Sequence, residues 1–212
     1  MIDLHIHSVF SDGELIPSEI ARRLAELEYE AFAITDHADF SNMEFIINSL
    51  LKLKDHFEEY ELKMIAGIEL THIPPKLIAR AVRMARRLGA EIVVVHGETI
   101  AEPVRKETNL AAVQAEIDIL AHPGLVDENT AEIASENNVY FEITSRKGHC
   151  LTNGHVAGIS ENHGVELVMN TDAHSPSDFI TKELAAKILR GAGVENIERV
   201  FRNSSKIVRL YE

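Results

Sequence analysis

The sequence predicts an α/β fold, a distorted (β/α)7 relative of the TIM barrel. Seven short, continuous apolar runs alternate with amphipathic helical patterns along the whole chain. The runs recur roughly 22 to 32 residues apart, about the size of a βα unit. No glycine-rich phosphate loop follows the first run, which argues against an open doubly wound sheet.

The runs are Ile2–Ile6, Ala31–Thr35, Leu62–Ile68, Glu91–Val95, Ile117–Ala121, Val139–Ile143 and Glu166–Met169. Each is rich in β-branched residues and too continuous for a sheet with one wet face, so it reads as a parallel strand buried on both sides. Pro17 opens the first helix, which is expected to reach about Glu28 with Ile20, Leu24 and Leu27 on one face. A second is expected over Met43–Tyr60, and a third over Pro75–Leu88, stopped by Gly89. Further helices are expected at Leu110–Ala115, Glu128–Asn137, Gly154–Asn162, Ser177–Leu189 and Val194–Phe201.

The 212 residues suffice for one domain with a sizeable core, and no linker interrupts them, so one hydrolase-sized domain over 1–212 is expected. A net charge of −13 repels polyanions and argues against long nucleic acids as partners, unless bound cations reverse the local field. No apolar run approaches bilayer length, and the opening MIDLHIHS is too short and polar for a signal peptide. A cytoplasmic protein with no membrane association is expected. Cys150 is the sole cysteine, which excludes an internal disulfide and a cysteine-based zinc site.

The chemistry lies where the strands stop. His5 and His7 end the first, Asp36 and His37 the second, Glu69 the third, His96 the fourth and His122 the fifth. Glu142 lies in the sixth, and the seventh leads into Asp172 and His174. In a β/α barrel these ends meet on the face that carries active sites. Asp and Glu number 34 and His 11, so one such residue after a strand carries no information; recurrence at nearly every strand does. Neutral imidazole with carboxylate suits zinc, manganese or iron. His5 and His7 are two apart on a strand, so both rings can chelate one ion. Packing these groups together without metal would leave polar atoms unpaired.

The segments DLHIHSVFSDG, ITDH, GIE, VVHGE, AHPG and NTDAH, in that order, resemble the motifs of the PHP (polymerase and histidinol phosphatase) family. The resemblance implies a distorted (β/α)7 barrel with two to three divalent metal ions. By residue it implies one ion on His5, His7, Glu69 and Asp172. A second falls on Asp12, His37 and His174, and a third on Glu69, His96 and His122. Asp12 stands where many members carry histidine, and its oxygen favours a harder metal. Such ions lower the pKa of a bound water and stabilise charge at phosphorus. The implied activity is metal-dependent hydrolysis of a small phosphomonoester, like histidinol phosphate or a nucleotide.

Three further residues are candidates for catalysis. Arg146, after the sixth strand, is placed to grip a phosphate. Asp36 and Glu98 flank proposed ligands and are placed to orient them or touch substrate. His149 and His155 read as surface residues, and His56, His72 and His163 as ordinary helix or loop residues. Two other functions are weighed. One is a phosphodiesterase or exonuclease on nucleotides or short oligonucleotides. The other is a noncatalytic RNA-processing subunit with a related barrel, which predicts a basic surface that this chain lacks.

Overall fold

The structure, a computed structural model, describes residues 1–54 and 56–209. The chain runs β1 (Ile2–Ile6), α1 (Pro17–Glu26), β2 (Ala31–Ile34), β3 (His37–Ala38), α2 (Met43–Leu51), β4 (Lys63–Leu70), α3 (Pro75–Leu88) and β5 (Ile92–His96). It continues through α4 (Thr108–Val113), β6 (Ile119–Ala121), α5 (Glu128–Glu136), β7 (Tyr140–Thr144), α6 (Asn153–His163), β8 (Leu167–Asn170), α7 (Lys182–Gly191) and α8 (Ile197–Arg209). The strands pair in parallel in the order β1-β2-β4-β5-β6-β7-β8, with β3 paired to β4. This is the distorted (β/α)7 barrel that the alternation predicts.

The seam between β1 and β8 is closed largely by side chains. Leu4 N–H donates to Asn170 Oδ1 at 2.9 Å, and the Thr171 hydroxyl donates to Asp3 Oδ2 at 2.5 Å. An isolated parallel bridge between Ile6 and Ala173, in which His7 N–H donates to Ala173 O at 2.9 Å, completes it. The sheet is therefore nearly closed, and its weakest pairing lies beside the strand ends that carry His5, His7 and Asp172.

Alternate residues of the strands sort into two apolar layers. Ile2, Leu4, Ala31, Ala33, Ile65, Ile92, Val94, Ile119, Ala121 and Val168 pack together inside the barrel, with Ile207 and Val208 of α8 beneath them. Phe32, Met64, Val93, Leu120, Phe141 and Met169 face outward and pack on the helices. Moving up a strand on the inner face, the residue type changes from aliphatic to metal-ligating. Ile65 and Gly67 lead to Glu69, and Ile92 and Val94 lead to His96. Gly67 is required between them, because a Cβ there would stand 2.3 Å from Ile92 Cγ2.

Some boundaries differ from expectation. The helix expected over Met43–Tyr60 ends at Leu51, and a single tight turn follows at Glu58–Tyr60; Asp55 lies outside the described residues. Phe57 enters the core from this connection and meets the Phe32 ring at 5.9 Å, so its helical spacing was coincidental. The third strand extends past Ile68 to Leu70, and the short β3 beside it has too few residues to leave a pattern. The helix expected at Ser177–Leu189 becomes a 3-10 turn at Pro176–Asp178, boxed by Ser175, and then α7, whose Thr181 accepts from Leu184 N–H at 3.3 Å. Helix α4 starts two residues before the expected Leu110 and α8 runs past the expected Phe201. In α8 the buried face includes Asn203, which donates to Leu167 O at 2.9 Å, and Ser204; a hydropathy pattern does not see these. Among the described residues, no helix is long and apolar enough to cross a membrane.

Candidate metal centre

His5, His7, Glu69, His96, His122 and Asp172 are all buried at the C-terminal mouth of the barrel. The pairing of β1 shifts register between Asp3 and Ile6. Leu4 accordingly belongs to the inner layer and Ile6 to the outer one, and the irregularity turns His5 and His7 inward above Leu4. Their Nε2 atoms stand 3.0 Å apart, a separation that one ion with bonds of about 2.0–2.1 Å spans.

Around them the ligand atoms fall into three overlapping groups. Those of His7, Asp12, His37 and His174 lie within 4.8 Å of one another, as do those of His5, Glu69 and His122, and those of His5, His7 and Asp172. Glu69 is central. Its Oε1 lies 3.4 Å from His5 Nε2 and 3.7 Å from His122 Nε2, and its Oε2 lies 2.7 Å from His37 Nδ1 and 3.6 Å from His7 Nε2. Asp172 Oδ1 lies 3.2 Å from His7 Nε2. Asp12 Oδ1 lies 3.3 Å from His174 Nε2 and 3.7 Å from His37 Nε2. The expected residues thus assemble, with His7 also facing Asp12. His96 stands apart: its ring is 4.6 Å from that of His122, but its Nε2 faces Glu102 Oε1 at 3.2 Å.

The donor set fits divalent metal. His7 Nδ1, Glu69 Oε1 and His122 Nδ1 are buried without a hydrogen-bond partner among the described residues, an expensive arrangement for a site holding protons alone. Burial, reinforced by the neighbouring imidazoles, holds His7 and His122 well below the ordinary histidine pKa, in the neutral form that binds metal. Burial acts against charge on Glu69 as well, but His5 and His37 outweigh it and hold Glu69 ionised. Burial dominates at Asp172, whose pKa is pushed up to about 7. The backbone at Asp172 and His122 is left-handed, with φ of 53° and 27°. Such conformations cluster at functional sites, where surrounding bonds must hold them.

A sequence model of the PHP domain matches residues 3–120, more than half of the chain. The chain belongs to the PHP domain family. An uncharacterized protein of Methanocaldococcus jannaschii is 51% identical over 199 residues, which cover 92% of this chain and 91% of that one. The DNA polymerase/3'-5' exonuclease PolX of Bacillus subtilis is 25% identical over 82% of this chain, and the match takes in 34% of PolX. The crystal structure of histidinol phosphate phosphatase from Lactococcus lactis, complexed with zinc, L-histidinol and phosphate, superposes with a TM-score of 0.68. It covers 92% of both chains at 16% identity, which shows a shared fold.

In this PHP domain several supporting residues act from behind the ligands. Glu142, seen in the sequence only as a strand residue, is fully buried and accepts from His5 Nδ1 at 2.9 Å, Asn170 Nδ2 at 2.8 Å and His122 N–H at 3.2 Å. It fixes the His5 tautomer so that Nε2 turns to the centre. Glu142→Gln keeps the shape but not the charge. It is expected to weaken metal affinity about tenfold to a hundredfold, the usual effect of losing such a partner. Metal titration followed by calorimetry checks this, and an unchanged affinity contradicts it.

The three candidates for catalysis are placed differently. Asp36 makes no bond to His37. Its carboxylate accepts from Ser8 N–H at 2.7 Å, Ser8 Oγ at 2.6 Å and Ser11 Oγ at 2.7 Å, and so shapes the loop that carries Asp12. Glu98 Oε1 accepts from Asn109 N–H at 3.0 Å, in the first turn of α4, and serves that helix end. Arg146 lies 3.3 Å from Asp178, whose Oδ2 also accepts from His174 N–H at 3.0 Å. The expected cation is therefore tied to the loop that carries a ligand. His149, read as a surface residue, instead sets its ring 4.2 Å from that of His122 at the mouth, tilted by 37°. His155, by contrast, bonds Val126 O at 2.8 Å.

Proposed function

We propose that residues 1–212 form one metal-dependent phosphoesterase domain, a phosphatase acting on a small phosphomonoester. The observation that carries this reading is the set of three overlapping ligand groups around buried Glu69, at the mouth of the barrel. His5, His7, Glu69 and Asp172 would hold one ion, and Asp12, His37 and His174 a second. Glu69, His96 and His122 would hold a third, the His96 ring standing 4.6 Å from that of His122. When bound, two to three ions of the zinc, manganese or iron class supply an activated water and Lewis acidity towards phosphate oxygens. The chain's own residues keep His7 and His122 neutral, fix the His5 tautomer through Glu142, and hold Asp12 at the rim through the Asp36 loop. Arg146, which pairs with Asp178 on the loop that carries His174, remains the proposed phosphate contact.

Membership of the PHP family and the phosphate-bound structure with the same fold support a phosphomonoester substrate. The acidic charge of the chain favours a small substrate over a long polyanion. A second reading, cleavage of phosphodiesters in short oligonucleotides, is supported by the relatedness to PolX, named as an exonuclease. The metal-loaded protein should be tested on histidinol phosphate, nucleoside bisphosphates and short RNA and DNA. Release of inorganic phosphate from the small monoesters is expected. Cleavage of the oligonucleotides alone would overturn the first reading in favour of the second.

A further inference from the structure

A cleft lies at the foot of the barrel, between α6, α8 and the start of β8, at the opposite end of the strands from the metal centre. Its volume is about 220 Å³. Ala157, Val165, Leu167 and Val200 give it an apolar floor. Ser160 of α6 lines the same floor and is only 1% exposed, yet its hydroxyl has no hydrogen-bond partner among the described residues. Buried polar groups are nearly always paired, because an unmade bond costs the full desolvation of the group. An orphaned hydroxyl facing an open cleft is therefore poised for a ligand.

The charge around the cleft selects the sign of that ligand. Arg199 is the only cation in its lining among the described residues, and it is already neutralised. Its Nε donates to Glu166 Oε2 at 2.9 Å and its Nη2 to Glu166 Oε1, and Asn203 Nδ2 donates to Glu166 Oε2 at 2.7 Å. What remains is negative. Glu161 and Glu195 stand exposed at the edge, and no ion pair engages either among the described residues. Two helices also end here. α6 stops at His163 before Gly164, with φ of 71°, and α7 stops at Gly191 just before Gly193, with φ of 88°. The C-terminal ends of both bring partial negative charge to the cleft. One N-terminus, that of α8, opposes them, but Asn196 Oδ1 already accepts from its Arg199 N–H at 3.0 Å.

We propose that this cleft binds a small organic cation, a primary ammonium on an apolar body the size of a benzene ring. An apolar cavity of about 150 Å³ holds benzene, so the volume here admits the ring and its head group. The ring covers Val165, Leu167 and Val200. The ammonium donates to Ser160 Oγ, within the field of Glu161, Glu195 and the two helix ends. The site shares no residue with the metal centre, and the inference does not depend on the proposed hydrolysis.

The test titrates the full, zinc-loaded chain with benzylamine at neutral pH and follows backbone amide shifts by NMR, with benzyl alcohol and benzoate as the neutral and anionic counterparts. Benzylamine is expected to shift the amides of Val165, Gly193 and Val194 saturably, with weaker binding of benzyl alcohol and none of benzoate. Ser160→Ala should weaken benzylamine binding about threefold to tenfold, the usual worth of one hydrogen bond. Glu161→Gln, at an exposed position on which the fold does not depend, should weaken benzylamine and leave benzyl alcohol unchanged. Shifts confined to the barrel mouth, benzoate binding as tightly as benzylamine, or unchanged benzylamine affinity in both variants would overturn the site. A protein that binds benzylamine here but turns over no phosphate ester keeps this site and loses the hydrolytic reading.

Discussion

Asp172→Asn is expected to reduce turnover about a thousandfold or more while leaving the barrel folded, and His5→Ala should do the same. The scale is that of the several kcal/mol that metal ions contribute to such reactions. Asp172 Oδ1 faces both His7 and His5, at 3.2 and 3.6 Å, so the amide removes a charge from the place where two imidazoles converge. The fold should tolerate the change, because asparagine accepts the left-handed backbone of this position as readily as aspartate. Stability gives an independent check on the cause. Burial raises the Asp172 pKa from 3.8 to about 7. A raised carboxylate pKa favours the fold below the unfolded value and costs stability as pH rises towards the folded one. The metal-free wild type should therefore weaken between about pH 4 and pH 7 relative to metal-free Asp172→Asn. A variant that keeps near-wild-type kcat would contradict the assignment of Asp172. A variant that is inactive because it is unfolded would show itself in the melt.

Much of this centre was legible in the sequence because metal chemistry restricts residue type, and a barrel restricts where those residues stand. The limits of β1 and α3 agree with the apolar runs read from the chain, and His5, His7, His37, Glu69, His122, Asp172 and His174 converge at one mouth. What was not legible depends on contacts between distant segments. The irregularity in β1 that turns His5 inward leaves no mark on IDLHI, where Leu4 and Ile6 look equivalent. Glu142 was visible in its strand, and the alternation Tyr140, Glu142, Thr144 could have marked it as inward-facing. His149 lies in a loop where polar residues are expected anyway, and only the fold sets it beside Thr99 and His122. Asp36 and Glu98 were legible as chemically capable groups, but their acceptors are already engaged by Ser8, Ser11 and Asn109.

Removing the metal should also destabilise the protein. The ions bind the folded chain and have no preformed site in the unfolded one, so their affinity adds directly to stability. At a thousandfold excess over Kd one ion contributes about 4 kcal/mol. For a chain of this length that corresponds to about 10 °C in Tm. Without ions the folded state also leaves Glu69 Oε1 buried and unpaired. Calorimetric melts of chelated and reloaded protein should show this difference, and Glu69→Gln should reduce it sharply because Glu69 lies beside His5, His7, His37 and His122, which between them enter all three groups. Identical melts with and without metal would mean that the cluster is held together by protons and hydrogen bonds alone.

The central claim is that the mouth of this barrel is a metal centre, and elemental analysis of the purified, reconstituted chain tests it most directly. The account predicts two to three divalent ions of the zinc, manganese or iron class per chain. A chain that remains metal-free after reconstitution would contradict it.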